Sequence, residues 1–335
     1  MAKPILPHGK QHRAFRGQAY PNAIQREVLQ GWFGSSRYIY NALLHLMQYS
    51  YLSHKGDWEA IAKLRPRPDL ECLYGLMAQD EVYDEYLQRS YKVSANKGFF
   101  SYLISCLKSH PDKAWLHEVP RDVLTYSAEG LYKAFQSFYR LVKLGRHIGP
   151  QGLIGFPQYK SRRSRQSIRM QGFNTEIVSY GERFKRHDLW MPQSKGLSVT
   201  PGYLKVKGLR KLQGRLLSVA ISRNPAGEYS VSALTETEPR VRLSGIGTIG
   251  IDLSAKRQEV GYCQDDRKAF SLSQIEQLPK AISTLESRIV RLQQLLARYT
   301  KGSSRWHRMR LRLAKAHLKL QRVYEGYYHR LTTWL

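Results

Sequence analysis

The chain is short of acids. Against 54 Lys plus Arg it carries 26 Asp plus Glu, a formal charge of +28 over 335 residues. A folded chain this positive repels itself unless a polyanion neutralises it, and the gain on binding is largely counterion release, so affinity should fall steeply with salt. Cysteine is scarce too. Cys72, Cys106 and Cys263 lie far apart with no CxxC pair, which argues against a disulfide framework and a zinc ribbon. Long apolar runs are missing: no stretch of about 18 apolar residues occurs, and the first ten residues lack the apolar core of a signal peptide. No membrane association is expected, and the chain reads as cytosolic.

Apolar content is sufficient for a fold. With 42% hydrophobic and 11% aromatic residues, the chain can bury two or more cores and is no disordered basic tail. After an extended stretch, Phe15 to Tyr20, the sequence Tyr20-Pro21-Asn22 offers a turn and an N-cap for a helix starting near Ala23. Its apolar set is Ile24, Leu29, Trp32, Phe33, Tyr40, Leu43, Leu44 and Met47. Lys55 to Asp69, with Pro66 and Pro68, reads as a surface loop, and an aromatic and acidic stretch follows from Tyr74 to Tyr91. Pro120 opens a second amphipathic helix, in which Leu124, Ala128, Leu131, Phe135, Phe138 and Val142 recur until Gly145.

Beyond the Gly149-Pro150-Gln151-Gly152 loop, residues 154–234 favour β structure. Leu216 to Arg223 and Glu228 to Glu236, joined through Asn224-Pro225-Ala226-Gly227, predict a hairpin. From Gly245 the run Ile246 to Asp252 predicts a buried strand, with Gln258 to Cys263 pairing back onto it. Ile282, Leu285, Ile289, Leu292, Leu296 and Tyr299 repeat at heptad spacing. After Lys301-Gly302-Ser303-Ser304 the pattern resumes as Leu313, His317, Leu320, Tyr324, Tyr327 and Leu331, which predicts a helical hairpin. With no second ligand one turn away, His317 reads as a structural or RNA-facing seam residue.

Two basic clusters stand out. Tyr159 to Arg169 interleaves an aromatic and hydroxyls with Lys160, Arg162, Arg163, Arg165 and Arg169, a composition suited to phosphate contacts and base stacking. Along the hairpin, Lys301, Arg305, Arg308, Arg310, Arg312, Lys315, Lys319 and Arg322 should face away from the apolar seam. Asp252, ending a glycine-rich strand, is the kind of carboxylate from which a two-metal nuclease site begins, but one carboxylate is not a metal site. The Asp265-Asp266 pair reads as a turn.

At these landmarks the chain resembles the TnpB family, transposon-encoded RNA-guided nucleases ancestral to the type V CRISPR effectors. The resemblance runs through Tyr20-Pro21-Asn22, Gly34 to Asn41, Val119-Pro120, Lys133 to Tyr139, Gly155 to Ser161, Gly250 to Lys256, Tyr299 to Arg305, Arg312 to His317 and His329 to Thr333. It implies an α+β protein. Residues 1–22 would give the first strand of a wedge-type β-barrel, 23–148 a helical recognition domain, 149–243 the rest of the barrel, and 244–335 a truncated RNase H-like RuvC domain with a long helical hairpin. The partners it implies are a guide RNA and a double-stranded target DNA with a short flanking motif, in a monomer or a dimer on one RNA. Arg37, Tyr40 and Asn41, and the segment from Arg121 to Tyr126, match family regions near the nucleic-acid channel and the reader of the flanking motif, with a role in helix packing equally open for Tyr40. Lys160, Arg162, Arg163, Arg165, Arg169, Arg305, Arg308 and Arg310 are the expected RNA or heteroduplex contacts.

Departures from the family pattern shape the functional expectation. Asp252 matches the first RuvC acid, Ser254 stands where the motif has glycine, and the other two metal-binding carboxylates have no counterpart before Leu335. No catalytic residue is therefore expected, Asp252 being a remnant, and no cofactor, with Mg²⁺ needed only if a full site exists elsewhere. The expected function is RNA-guided DNA occupancy without cleavage, acting as transcriptional repression. The alternatives are a TnpB-type RNA-guided DNA endonuclease whose C-terminal catalytic part lies outside this chain, and a non-programmed RNA-binding accessory protein of a mobile element.

Overall fold

A computed structural model describes residues 10–149, 152–179, 186–194, 196–209, 212–238, 249–251, 259–263, 268–271 and 281–334. They belong to two compact units, Met1–Glu238 and Pro239–Leu335. Among the described residues, no helix is long and apolar enough to cross a membrane.

The first unit begins with strand β1 (Gln11–Tyr20) and the 33-residue helix α1 (Ala23–Lys55). Asn22 caps that helix in a reciprocal capping box: its side chain accepts from the Gln25 backbone at 2.8 Å, and Gln25 returns a carbonyl to the Asn22 N–H at 3.1 Å. Seven of the eight apolar residues predicted for this helix are buried, Ile24 alone lying 50% exposed. Between Ile39 and Met47 burial extends around nearly the whole circumference, as expected of a helix at the centre of a core rather than on its surface.

The stretch predicted as one loop contains a short helix α2 (Trp58–Lys63), where Asp57 accepts from the Ala60 N–H at 2.9 Å. A local cap followed by Glu-Ala-Ile-Ala outweighed the nearby prolines, which sit beyond the helix end. Next come α3 (Glu71–Met77), the hairpin β2 (Glu81–Asp84) and β3 (Arg89–Lys92), α4 (Lys97–Ser109) and α5 (Arg121–Lys143). In α5 the predicted stripe is buried from Leu124 to Phe138. A two-residue ladder, β4 (Ile148–Gly149) with β5 (Gly152–Leu153), leads into the sheet region.

That region holds β6 (Gln166–Gln171), β7 (Ile177–Ser179), β8 (Arg186–Trp190), β9 (Tyr203–Lys207), β10 (Arg215–Arg223) and β11 (Tyr229–Thr237). With β1 they form one antiparallel sheet, order β6-β10-β11-β1-β9-β8-β7, and β10 with β11 is the predicted hairpin. Among the described residues no ladder joins β6 to β7, so the expected closed barrel is instead an open sheet. Its curl follows from connectivity. Six inter-strand steps would set the edges of a flat sheet about 29 Å apart, whereas the five residues between β6 and β7 reach at most about 21 Å. Six antiparallel pairings also leave β6 and β7 running in the same direction. The chain thus passes from one sheet edge to the other through a kinked segment, tying the edges covalently where hydrogen bonds do not.

The second unit holds the antiparallel sheet β12 (Ile249–Ile251), β13 (Glu259–Cys263) and β14 (Lys268–Ser271), with Ile249 opposite Cys263. Helices α6 (Ala281–Ala297) and α7 (Ser304–Trp334) pack as a hairpin. Gly302 adopts φ 96° in the turn, and Ser303 Oγ accepts from the Trp306 N–H at 3.1 Å. Ile289, Leu292 and Ala316 form its core, flanked by Met309, Leu313 and Leu320. His317 is exposed, contrary to its expected seam position. The stripe steps three residues from Leu313 to the buried Ala316, and the next residue falls outside it. Asp252 and the Asp265-Asp266 pair lie outside the described residues.

Candidate nucleic-acid interface

The first basic cluster is held in place by helix α1. Asn41 grips the Lys160 backbone with both ends of its amide: Nδ2 donates to the Lys160 carbonyl at 3.0 Å, and Oδ1 accepts from the Lys160 N–H at 2.8 Å. One turn earlier, Arg37 Nη1 donates to Gln166 Oε1 at 2.9 Å. Gln166 Nε2 in turn donates to the Ser161 and Ser164 carbonyls, each at 2.9 Å, which closes the loop on itself. Further along α1, Gln48 Oε1 accepts from the Tyr159 hydroxyl at 2.5 Å. Three side chains on one helix therefore fix the path from Tyr159 to Gln166.

Two of the expected contact residues, Tyr40 and Asn41, brace the loop. The Tyr40 ring is buried, with the Lys160 ammonium 3.9 Å from its centroid, and the Asn41 amide is fully engaged on the loop backbone. Burial against this ring pushes the Lys160 pKa down. Burial, and then the neighbouring Arg162, lower the pKa of Arg37. Behind the loop lies a buried histidine. His45 Nε2 is 2.9 Å from the Tyr74 hydroxyl and Nδ1 is 3.4 Å from that of Tyr159. Burial and the Arg67 charge push the His45 pKa down, which favours the neutral ring.

From the loop the cations continue onto the outer face of the sheet. Ile168 and Met170 of β6 face the core, so Ser167 and Arg169 face outward. Arg165 Nη2 donates to Ser222 Oγ at 3.0 Å, and Arg169 reaches Ser218 Oγ through Nε at 3.0 Å and Nη2 at 2.8 Å. The Arg169 guanidinium lies 4.8 Å from the Tyr126 ring centroid, a cation–π contact that ties β6 to α5. Register places Arg169, Ala220, Ser232 and Arg16 in one cross-strand row, and Ser167, Ser222, Ser230, Gln18 and Lys207 in the next. Small side chains thus occupy β10 and β11, with Arg169 of β6 to one side and Arg16 with Lys207 to the other. Across the strands between Arg169 and Arg16 the span is about 14 Å.

Arg162 and Arg163 are exposed on the loop, and Arg121 is exposed at the start of α5. In the second unit Arg305 and Arg308 are exposed on α7, while Arg310 lies 5.6 Å from the Trp306 ring centroid. The structure thus brings Arg37, Tyr40, Asn41, Lys160, Arg162, Arg163, Arg165, Arg169 and Tyr126 into one continuous region of the first unit. Sequence reasoning missed its supports, Gln48, His45 and Gln166, and the serines of β10 and β11. The alternation Ser218, Ala220, Ser222 and Ser230, Ser232 was the available signal, since small polar residues at period two mark a sheet face of low relief.

Chemically, this surface offers guanidinium groups whose orientations are set before anything binds. Such forks match phosphate oxygens, and the smooth centre leaves room for a sugar–phosphate chain.

Comparison with known proteins bears on the same region. A family model described as a helix-turn-helix domain of the OrfB_IS605 type matches residues 11–56. Here those residues form β1, the unbroken helix α1 and the Gly56 turn, so the matched segment does not contain two helices. Over 327 residues, 97% of this chain, it is 21% identical to the "Putative RNA-guided DNA endonuclease InsQ" of Escherichia coli (strain K12). The chain spans 63% of that relative's length.

Proposed function

Since the chain belongs to the TnpB (OrfB) family, we propose that it binds a guide RNA and uses it to occupy a matching DNA site beside a short flanking motif. The observation that carries this reading is the grip of Arg37, Asn41 and Gln48 on the loop from Tyr159 to Gln166. All three lie within the segment matched by the family model, and what they hold is a row of cations. Selection of phosphate geometry explains why a helix would support so costly a concentration of positive charge.

In this reading β1 and residues 149–243 form the wedge, residues 23–148 the recognition helices, and residues 244–335 the opening strands and helical hairpin of a RuvC-like domain. Arg162, Arg163, Arg165, Arg169 and Arg121 contact backbone phosphates, as do Arg305, Arg308 and Arg310. Tyr40 and Asn41 position Lys160, and Tyr126 orients Arg169. In this reading Asp252 is a remnant acid, and these residues occupy DNA and block transcription rather than cut.

Sequencing of RNA co-purified with the chain, followed by footprinting on DNA matching that RNA, tests the reading. A discrete RNA and guide-dependent protection are expected. Heterogeneous RNA, or protection that ignores guide sequence, refutes programmed binding and favours a general RNA-binding accessory role. The second reading, part of an active endonuclease, is favoured by the relative's printed description and greater length. A reading frame that continues past residue 335 into further metal-binding acids, with Mg²⁺-dependent cleavage of the matching DNA by the longer product, would establish it over occupancy.

A further inference from the structure

The kinked segment between β6 and β7 carries an apolar ring into solvent. Phe173 is 78% exposed, yet its backbone is rigidly placed. On one side the Gln171 N–H donates to Asp122 Oδ2 at 3.0 Å, and on the other Asn174 Nδ2 donates to the same oxygen at 2.6 Å. Between them, a Cβ on Gly172 would fall 2.0 Å from the Leu216 carbonyl oxygen, so only glycine allows the segment to lie this close to β10. A single carboxylate of α5 and one close backbone contact thus hold the segment bearing this ring. Single exposed aromatics are ordinary on protein surfaces, but a clamped one at the end of a cationic row calls for a specific contact.

Beside the ring is an open groove of about 610 Å³ lined by Tyr126, Gln171, Gly172, Phe173, Arg215 and Leu216, among others. It continues the line of Arg165, Ser167 and Arg169 along β6, and the Tyr126 ring already carries the Arg169 guanidinium on one side. We propose that Phe173 is a stacking platform for an unpaired nucleobase, with Arg215 and Arg169 neutralising the adjoining phosphates. This inference rests on the nucleic-acid binding proposed above and adds a position where a strand leaves regular base stacking. Every base has a π-face, so the platform accepts any base, from RNA or from DNA.

Fluorescence anisotropy with the full chain, stripped of co-purifying RNA in high salt, tests the platform. The probes are a 12-nucleotide oligouridine RNA and a 12-nucleotide oligothymidine DNA. Phe173→Ala and Phe173→Leu should each weaken binding of at least one probe about tenfold. Phe173→Trp should bind like the wild type. The slope of affinity against salt should stay unchanged, because stacking releases no counterions. A loss confined to one probe identifies the strand that supplies the base, and an equal loss for both shows that either can.

Unchanged melting temperatures are expected, because the ring is exposed. If the wild type binds but Phe173→Ala stays within twofold for both probes, or Phe173→Leu matches the wild type, the platform is refuted and the proposed function stands. If the wild type binds neither probe, both fall.

Discussion

The positive side chains of the first unit differ in kind from those along α7. Arg37 of α1, Arg165 of the loop and Arg169 of β6 each donate to a named side chain, and Lys160 is fixed through its own backbone and the ring beneath it. On α7, Arg305, Arg308, Arg312, Lys315 and Lys319 are exposed on a helix whose opposite face packs against α6. The first group has lost rotamer freedom before any partner arrives, and the second loses it on binding. Equal charge therefore predicts unequal roles: oriented contacts on the sheet, general attraction along the helix.

The comparison is tested hardest by a pair of double variants. Arg165→Ala with Arg169→Ala should cost about 100-fold in RNA affinity at fixed salt, with lysine at both positions restoring little of it, because an ammonium lacks the planar fork. Arg305→Ala with Arg308→Ala should cost about fivefold, reduce the salt slope by about 1.4, and be fully restored by lysine. Equal lysine rescue in filter-binding titrations of both pairs would erase the distinction.

Between those extremes lies the support itself. Asn41→Ala removes both hydrogen bonds to Lys160 and should lower stability by about 1–2 kcal/mol. Affinity should drop about tenfold with the salt slope preserved, since no cation is lost. Denaturant melts and titrations read the two effects separately, and an unchanged affinity would show that the loop keeps its shape unaided.

The smallest expected effect concerns the neutral histidines behind this architecture. His45 and His187 both have pKa values pushed down, chiefly by burial. The unfolded chain takes up protons near pH 6.5 that the folded one refuses. Their contribution is thus fully present above pH 6.5 and declines as pH falls below it. Thermal melts between pH 7.5 and 5 should show a fall of a few degrees, reduced in a His45→Gln variant.

Local patterns were legible in advance; partnerships were not. The α1 cap, the α5 stripe, the β10–β11 hairpin and the α6–α7 seam all follow from periodicity within a few turns or one strand pair. The basic cluster at Tyr159 to Arg169 was visible as composition, but its supports were not, since Asn41 and Lys160 stand 119 residues apart. Helix α2 was hidden by neighbouring prolines, and His317 by a three-residue step where four was assumed. Phe173 sits in a segment too short for any period, and only the fold reveals that Asp122 clamps both its flanks.

The position of β1 has a consequence for how the chain is made. This strand lies at the middle of the seven-stranded sheet, and its longest ladder pairs Gln11 with Thr237. On the ribosome, the first strand to emerge waits for nearly the last residues of its unit before that ladder can form. Until then the helices that follow it can pack locally, while its backbone donors and acceptors remain open to water or to other chains. Synthesis stopped before residue 229 would leave β1 without its main partner and the cationic face with only part of its floor.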